Sequence, residues 1–174
     1  MADYINLPCR PDPGQILVVV ESARGSSFKM KYDPSKNVFV FHRALALGVA
    51  YPYDWGFVPS TRAEDGDPLD AMVIFDMPTT TGAVIPAKPI GVVQMLQTER
   101  GPSFRNDRVI AVPIDDPREH IDELSKRTKE ELEDFFEVMA RMKKAKVDVL
   151  GWKGPKTANE AVEAAAARYI SGSK

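Results

Sequence analysis

Cysteine is almost missing from this chain: among 174 residues Cys9 stands alone, so no internal disulfide can form and a reducing cytoplasm is the expected compartment. Cys9 lies in a proline-rich segment and is read as an inert thiol. Histidine is nearly as scarce, with only His42 and His120, which argues against a histidine-rich zinc site. No apolar run approaches the ~18 residues of a membrane-spanning helix, so no membrane partner is expected. The opening MADYINLPCRPDPGQ has neither a basic nor an apolar segment of the signal-peptide kind, so none is expected. A surplus of one charge is missing as well. With 23 Lys and Arg against 25 Asp and Glu, the net charge is −2, and no basic stripe invites nucleic acid. Internal repeats, low-complexity tracts and linkers are also absent from the sequence.

What is present fits one domain over residues 1–174: 44% of residues are apolar and 28% charged, enough to build and solvate a core. The first two thirds look β-rich. QILVVVES (15–22) is a β-branched apolar run. SFKMKYD (27–33) alternates Phe28, Met30 and Tyr32 with Lys29, Lys31 and Asp33, and NVFVFHR (37–43) follows after the turn residues DPSKN, which predicts a hairpin. DAMVIF (70–75), IGVVQMLQ (90–97) and RVIAVP (108–113) read as further strands. Their separation by Pro and Gly favours a small barrel over a parallel sheet. The last third changes period. A Thr128–Glu131 capping box opens an amphipathic helix carrying Leu132, Phe135, Phe136, Met139 and Met142. A second box, Thr157–Glu160, opens an alanine-rich helix through Val162, Ala165, Ala166 and Tyr169, with VLGWKGP (149–155) as the link between the two.

The chemistry concentrates in EDGDPLDAMVIF (64–75), where Glu64, Asp65, Asp67 and Asp70 stand at the mouth of a buried strand. Unpaired carboxylates are costly there, so a cation is expected to compensate them. Pro68 makes 65–69 a loop that aims several carboxylates at one point, the oxygen-rich setting that Mg²⁺ prefers. A calcium EF-hand does not fit, because the required Gly and Glu positions fall on Asp70 and Asp76. A plain solvated turn remains the alternative. Lys29, Lys31 and Arg43, with Tyr51 in YPYDWGF, add the cationic and phenolic donors that a phosphoryl group accepts.

The segment EDGDPLDAMVI resembles the Asp-Gly-Asp-Pro-hydrophobic-Asp signature of the soluble family I inorganic pyrophosphatases. The likeness continues in order through VVVES, FKMKYD, FHR, YPYDWGFVPST, KPIGVVQM, RVIAVP, DFFE and GW, from about residue 15 to about residue 170. The resemblance implies a mainly β fold, a five-stranded OB-type β-barrel with two C-terminal α-helices packed outside. It implies Mg²⁺-dependent hydrolysis of inorganic pyrophosphate to two phosphates by a metal-activated water, in a cytoplasmic homo-oligomer, commonly a hexamer. It implies metal ligation by Asp65, Asp67, Asp70 and Glu21, with Asp67 as the general base. Lys29, Arg43 and Tyr51 would contact substrate.

The departures from the family pattern sit in the same site. Lys31 replaces a glutamate, Trp55 a tyrosine, Asn106 an aspartate and Arg108 a lysine. Gln97, or Thr98 if the loop is shifted, replaces an aspartate, and Met139-Ala140 replaces Tyr-Lys. Metals that need those carboxylates would bind weakly, while Lys31 and Arg108 would supply positive charge toward the substrate. Asp107, Glu99 and Glu64 are candidates to replace lost ligands. One expectation is a pyrophosphatase with fewer metals and a reduced rate. The alternatives are an impaired relative that binds phosphate, a phosphorylated metabolite or a partner subunit, or a phosphohydrolase for another substrate, with Trp55 offering a flat surface to an organic group.

Overall fold

The computed structural model describes residues 3–172. Its strands are β1 (Ile16–Ser22), β2 (Phe28–Asp33), β3 (Val38–Ala44), β4 (Asp54–Val58), β5 (Leu69–Val73), β6 (Val84–Thr98), β7 (Ser103–Arg105), β8 (Arg108–Pro113) and β9 (Lys146–Lys153). Helix α1 (Lys126–Arg141) lies between β8 and β9, and α2 (Pro155–Ser171) closes the order. Strands β1, β4, β5, β8 and β6 pair in that sequence, and β6 pairs back to β1, closing a ring of five. The expected mainly β fold of OB type, with two C-terminal helices outside, is thus present. One pairing in the ring, β5 with β8, is parallel.

The long β6 serves several neighbours, pairing β1, β7, β8 and β9 along its length. It bends at a register shift between Pro89 and Gly91, the kind of place where a strand tolerates proline. The sequence predicts only 90–97 as strand, because Pro86 and Pro89 read as breakers. Strand β4 was not predicted: all five of its residues are buried, so it shows no alternation. Gly56 is needed there, since a Cβ on it would stand 1.8 Å from the Val19 carbonyl oxygen of β1. Gly56→Ala should therefore destabilise the protein by about 3 kcal/mol, seen as a fall of several degrees in the thermal unfolding midpoint.

Both helices start earlier than predicted. Ser125 caps α1, its Oγ accepting the Thr128 N–H at 3.0 Å, so Thr128 lies inside the first turn. Helix α2 begins at Pro155, whose fixed φ suits a first helical position. The presumed link 149–155 is largely β9, which pairs β6 from Val92 to Thr98. Trp152 sits on β9 and donates its indole N–H to Glu133 of α1. Leu132, Phe135, Phe136 and Ala140 bury α1 against Met72, Ile90, Val93, Met95 and Ile110. Ala158, Val162 and Ala165 of α2 are buried, with Val162 and Ala165 packing against Ile16, Val18, Val58 and Val109. Cys9 is a half-buried free thiol at the edge of that second cluster. Among the described residues, no helix is long and apolar enough to cross a membrane.

Candidate active site

The hairpin of β2 and β3 forms its own two-stranded sheet beside the ring. Lys29 pairs with Arg43 and Lys31 with Val40, with a register shift between Lys29 and Met30. Both lysines line a cleft of about 550 Å³ whose far wall is the acidic loop. His42 is exposed on this cleft. Burial and the cations Lys29, Arg43, Lys31 and Lys143 lower its pKa, so it is neutral at physiological pH.

The loop is a compact turn. Gly66 adopts φ +89, the Ala63 N–H reaches the Asp67 carbonyl, and the Asp67 N–H donates to Asp65 Oδ1 at 3.1 Å. Thr61 anchors its exit, with Oγ1 accepting the Leu69 N–H at 3.0 Å. This brings Asp65, Asp67 and Asp70 to the cleft together with Glu21 from β1. Lost hydration raises the pKa of the Asp65 carboxyl, and Asp70 and Asp67 add to the rise. Glu21 is 7% exposed and its pKa is raised to about 7 by burial, against the Tyr32 N–H that its Oε1 accepts at 2.8 Å. The Asp70 carboxylate makes no hydrogen bond or ion pair to any described residue. Asp67 differs: its Oδ2 lies 2.7 Å from Lys31 Nζ.

Beneath the cleft is a smaller cavity of about 30 Å³, lined by Tyr51, Trp55, Gln97, Arg108, Met139 and Ala140. Lys29, Asp70 and Lys143 border both spaces. Three buried donors on the inner cavity, and two on Arg43 of β3, lack partners. Tyr51 Oη, Trp55 Nε1, Arg108 Nε, and Arg43 Nε and Nη2 are buried with no hydrogen-bond partner. Ser22 Oγ lies near enough to Tyr51 to temper its ionisation but outside hydrogen-bond geometry, and burial drives the phenol's pKa well up. Arg108 is held by flat apolar surface rather than by a carboxylate. Its guanidinium lies 5.4 Å from the Trp55 ring centre and 5.0 Å from that of Phe136, with Nη1 on the Asn106 carbonyl and Met95 Sδ. Burial lowers its pKa, against Asp70 and Asp65.

Several altered positions thus come together. Asn106 Nδ2 donates to Gln97 Oε1 at 2.8 Å, so these two amides satisfy each other without a cation. Trp55 offers a donor in its indole N–H, which is buried without a partner. The candidate replacement acids are engaged elsewhere. Asp107 takes both Arg105 Nε and Nη2, at 3.0 and 2.7 Å, and lines a shallow recess beside α2 together with Glu64. Glu99 accepts from Gln97 Nε2. Sequence reasoning missed Lys143, whose signal was a lysine three residues beyond Ala140, on the same helical face.

A closed five-stranded ring with a cleft lined by acids and lysines, and an inner cavity lined by buried donors, defines a protein of OB type. The sequence profile of the inorganic pyrophosphatases matches residues 18–170. An inorganic pyrophosphatase from Synechocystis is 39% identical over 87% of this chain and 89% of its own length. One from Thermus thermophilus is 37% identical over 97% and 99%. The crystal structure of inorganic pyrophosphatase from Thermus thermophilus superposes with a TM-score of 0.87, covering 97% of this chain and 99% of that one at 35% identity. An inorganic pyrophosphatase structure from Helicobacter pylori gives 0.85, covering 94% and 98% at 33% identity. The chain belongs to the inorganic pyrophosphatase family.

Proposed function

We propose that this inorganic diphosphatase hydrolyses pyrophosphate to two phosphates with Mg²⁺, using fewer carboxylate-held ions than its family pattern provides for and at a reduced rate. The observation that carries the reading is the set of buried donors without acceptors, Tyr51 Oη, Trp55 Nε1, Arg43 Nε and Nη2, and Arg108 Nε, together with Asp65 and Asp70, which have no bonded cation among the described residues. A buried unsatisfied donor costs about 1–3 kcal/mol, which an anion's oxygens would relieve.

The acids fit a sparse metal site. Asp65 and Asp70 face the same cleft, Asp70 has no bonded partner among the described residues, and burial raises the pKa values of Glu21 and Asp65, with neighbouring carboxylates adding to the rise. No group of three described acids, histidines or cysteines stands close enough to cage an ion by itself. An ion there would keep waters and share substrate oxygens. Asp65 and Asp70, with Asp67 and Glu21 behind them, would hold it. When bound, Mg²⁺ supplies charge neutralisation and a more acidic water.

The chain's own groups do the rest. Lys29, Lys31, Arg43 and Arg108 hold phosphate oxygens, and Tyr51 donates its hydroxyl to them. Asp67 takes the proton of the attacking water on Oδ1, while Lys31 fixes Oδ2. A cytoplasmic homo-oligomer, hexameric by family resemblance, completes the reading. The test is phosphate release from magnesium pyrophosphate by the purified chain.

A second reading, a phosphate-binding relative without turnover, is favoured by one feature: Lys31 already occupies the proposed base and the Gln97–Asn106 pair is neutral. Absence of turnover by folded protein in excess Mg²⁺ would select it. Lys31→Glu tests how far this lysine stands in for an ion. Direct calorimetric titration should show Mg²⁺ bound about tenfold more tightly than by wild type, since a competing cation becomes an oxygen ligand.

A further inference from the structure

Lys143 belongs to none of the roles above, yet its position is tightly fixed. Helix α1 ends at Arg141, and the chain closes it with Lys144 N–H on the Arg141 carbonyl at 2.9 Å and Ala145 N–H on the Ala140 carbonyl at 3.0 Å. Lys144 takes φ +57. This is a Schellman closure, and it leaves Lys143 as the last residue before the left-handed turn, half-buried over the site.

Lys143 shares the junction of cleft and inner cavity with Lys29 and Asp70. Its ammonium forms no hydrogen bond or ion pair with any described residue. Its charge reaches both walls, helping to lower the pKa of Lys29 and His42 on the hairpin and opposing the rise of Asp65 on the loop. Two unbonded lysines, from the hairpin and from the α1 turn, therefore face one another across a passage walled by unpaired donors. Like charges so arranged are stabilised by an anion between them.

We propose that Lys143 contacts the substrate's phosphate oxygens together with Lys29, supplying from this turn the cation that Ala140, one turn earlier on the same face, does not carry. The proposal rests on the pyrophosphatase reading. The experiment compares wild type, Lys143→Ala, Lys143→Met, Lys143→Arg and, as control, the exposed Lys156→Ala on α2. KM and kcat are measured for magnesium pyrophosphate, and the dissociation constant of inorganic phosphate is measured by calorimetry. KM and the phosphate dissociation constant should each rise about tenfold in Lys143→Ala and Lys143→Met, with a smaller change in kcat. Lys143→Arg should recover most of the loss, and Lys156→Ala should match wild type. Lys143→Met keeps the aliphatic stem, so it separates lost charge from lost packing. Values within twofold of wild type in both neutral variants would overturn the proposal, as would an equal loss in Lys156→Ala. Should wild type release no phosphate from pyrophosphate, the functional reading fails, and the phosphate calorimetry still decides whether Lys143 is an anion contact.

Discussion

Asp67→Asn should lower phosphate release from magnesium pyrophosphate by about 10²–10⁴-fold, the usual contribution of a positioned general base. Asparagine keeps the shape and an oxygen that can still accept from Lys31, but it cannot take a proton from water. The fold should scarcely notice. Asp67 and Lys31 are both largely solvated, with side chains 59% and 45% exposed, and an exposed ion pair contributes less than about 1 kcal/mol. The expected pattern is an unchanged thermal midpoint with the rate nearly gone. A variant retaining more than a tenth of wild-type rate would remove Asp67 from the role of base.

Arg108→Met should separate activity from stability with opposite signs. Arg108 is 8% exposed and has no carboxylate partner, only the Asn106 carbonyl and the Met95 sulfur for Nη1, and its Nε is unsatisfied. A buried cation without a counter-ion costs stability unless a ligand supplies one. Methionine fills the space between Trp55 and Phe136 without that cost, so the ligand-free midpoint should rise by about 1–3 kcal/mol in stability terms. The catalytic efficiency should fall by about 10²-fold, the loss expected from one preorganised donor to a charged oxygen. Arg108→Lys should fall between, since it keeps charge but not the planar stack. Excess phosphate should raise the wild-type midpoint more than that of Arg108→Met. Equal protection of both would show that Arg108 does not face the anion.

Much of the architecture was legible because burial on one face writes itself into the sequence. The alternation of Phe28 to Asp33, the β-branched run of β1 and the stripe Leu132–Phe135–Phe136 each gave the correct element. Where burial is two-sided or a strand is bent, that signal disappears. Strand β4 has no exposed face, β6 runs through two prolines by kinking, and β9 contains a glycine at φ +140. The helix starts were misplaced because Thr128 and Thr157 fit a cap pattern that Ser125 and Pro155 satisfied first.

The site divides in the same way. The carriers of charge can be read from residue order alone: Glu21, Asp65, Asp67 and Asp70 against Lys29, Lys31 and Arg43, with Tyr51 as the phenol. Residue type and a short motif fix these, since the loop that groups the aspartates is local. Which of these charges meet depends on the folded arrangement. Lys31 reaches Asp67 across the cleft, Gln97 and Asn106 pair across β6 and the turn before β8, Arg108 lies against Trp55 and Phe136, and Lys143 arrives from the end of α1. Most of these contacts join positions far apart in sequence, and they form because the closed ring, the hairpin beside it and the packing of α1 bring those positions together.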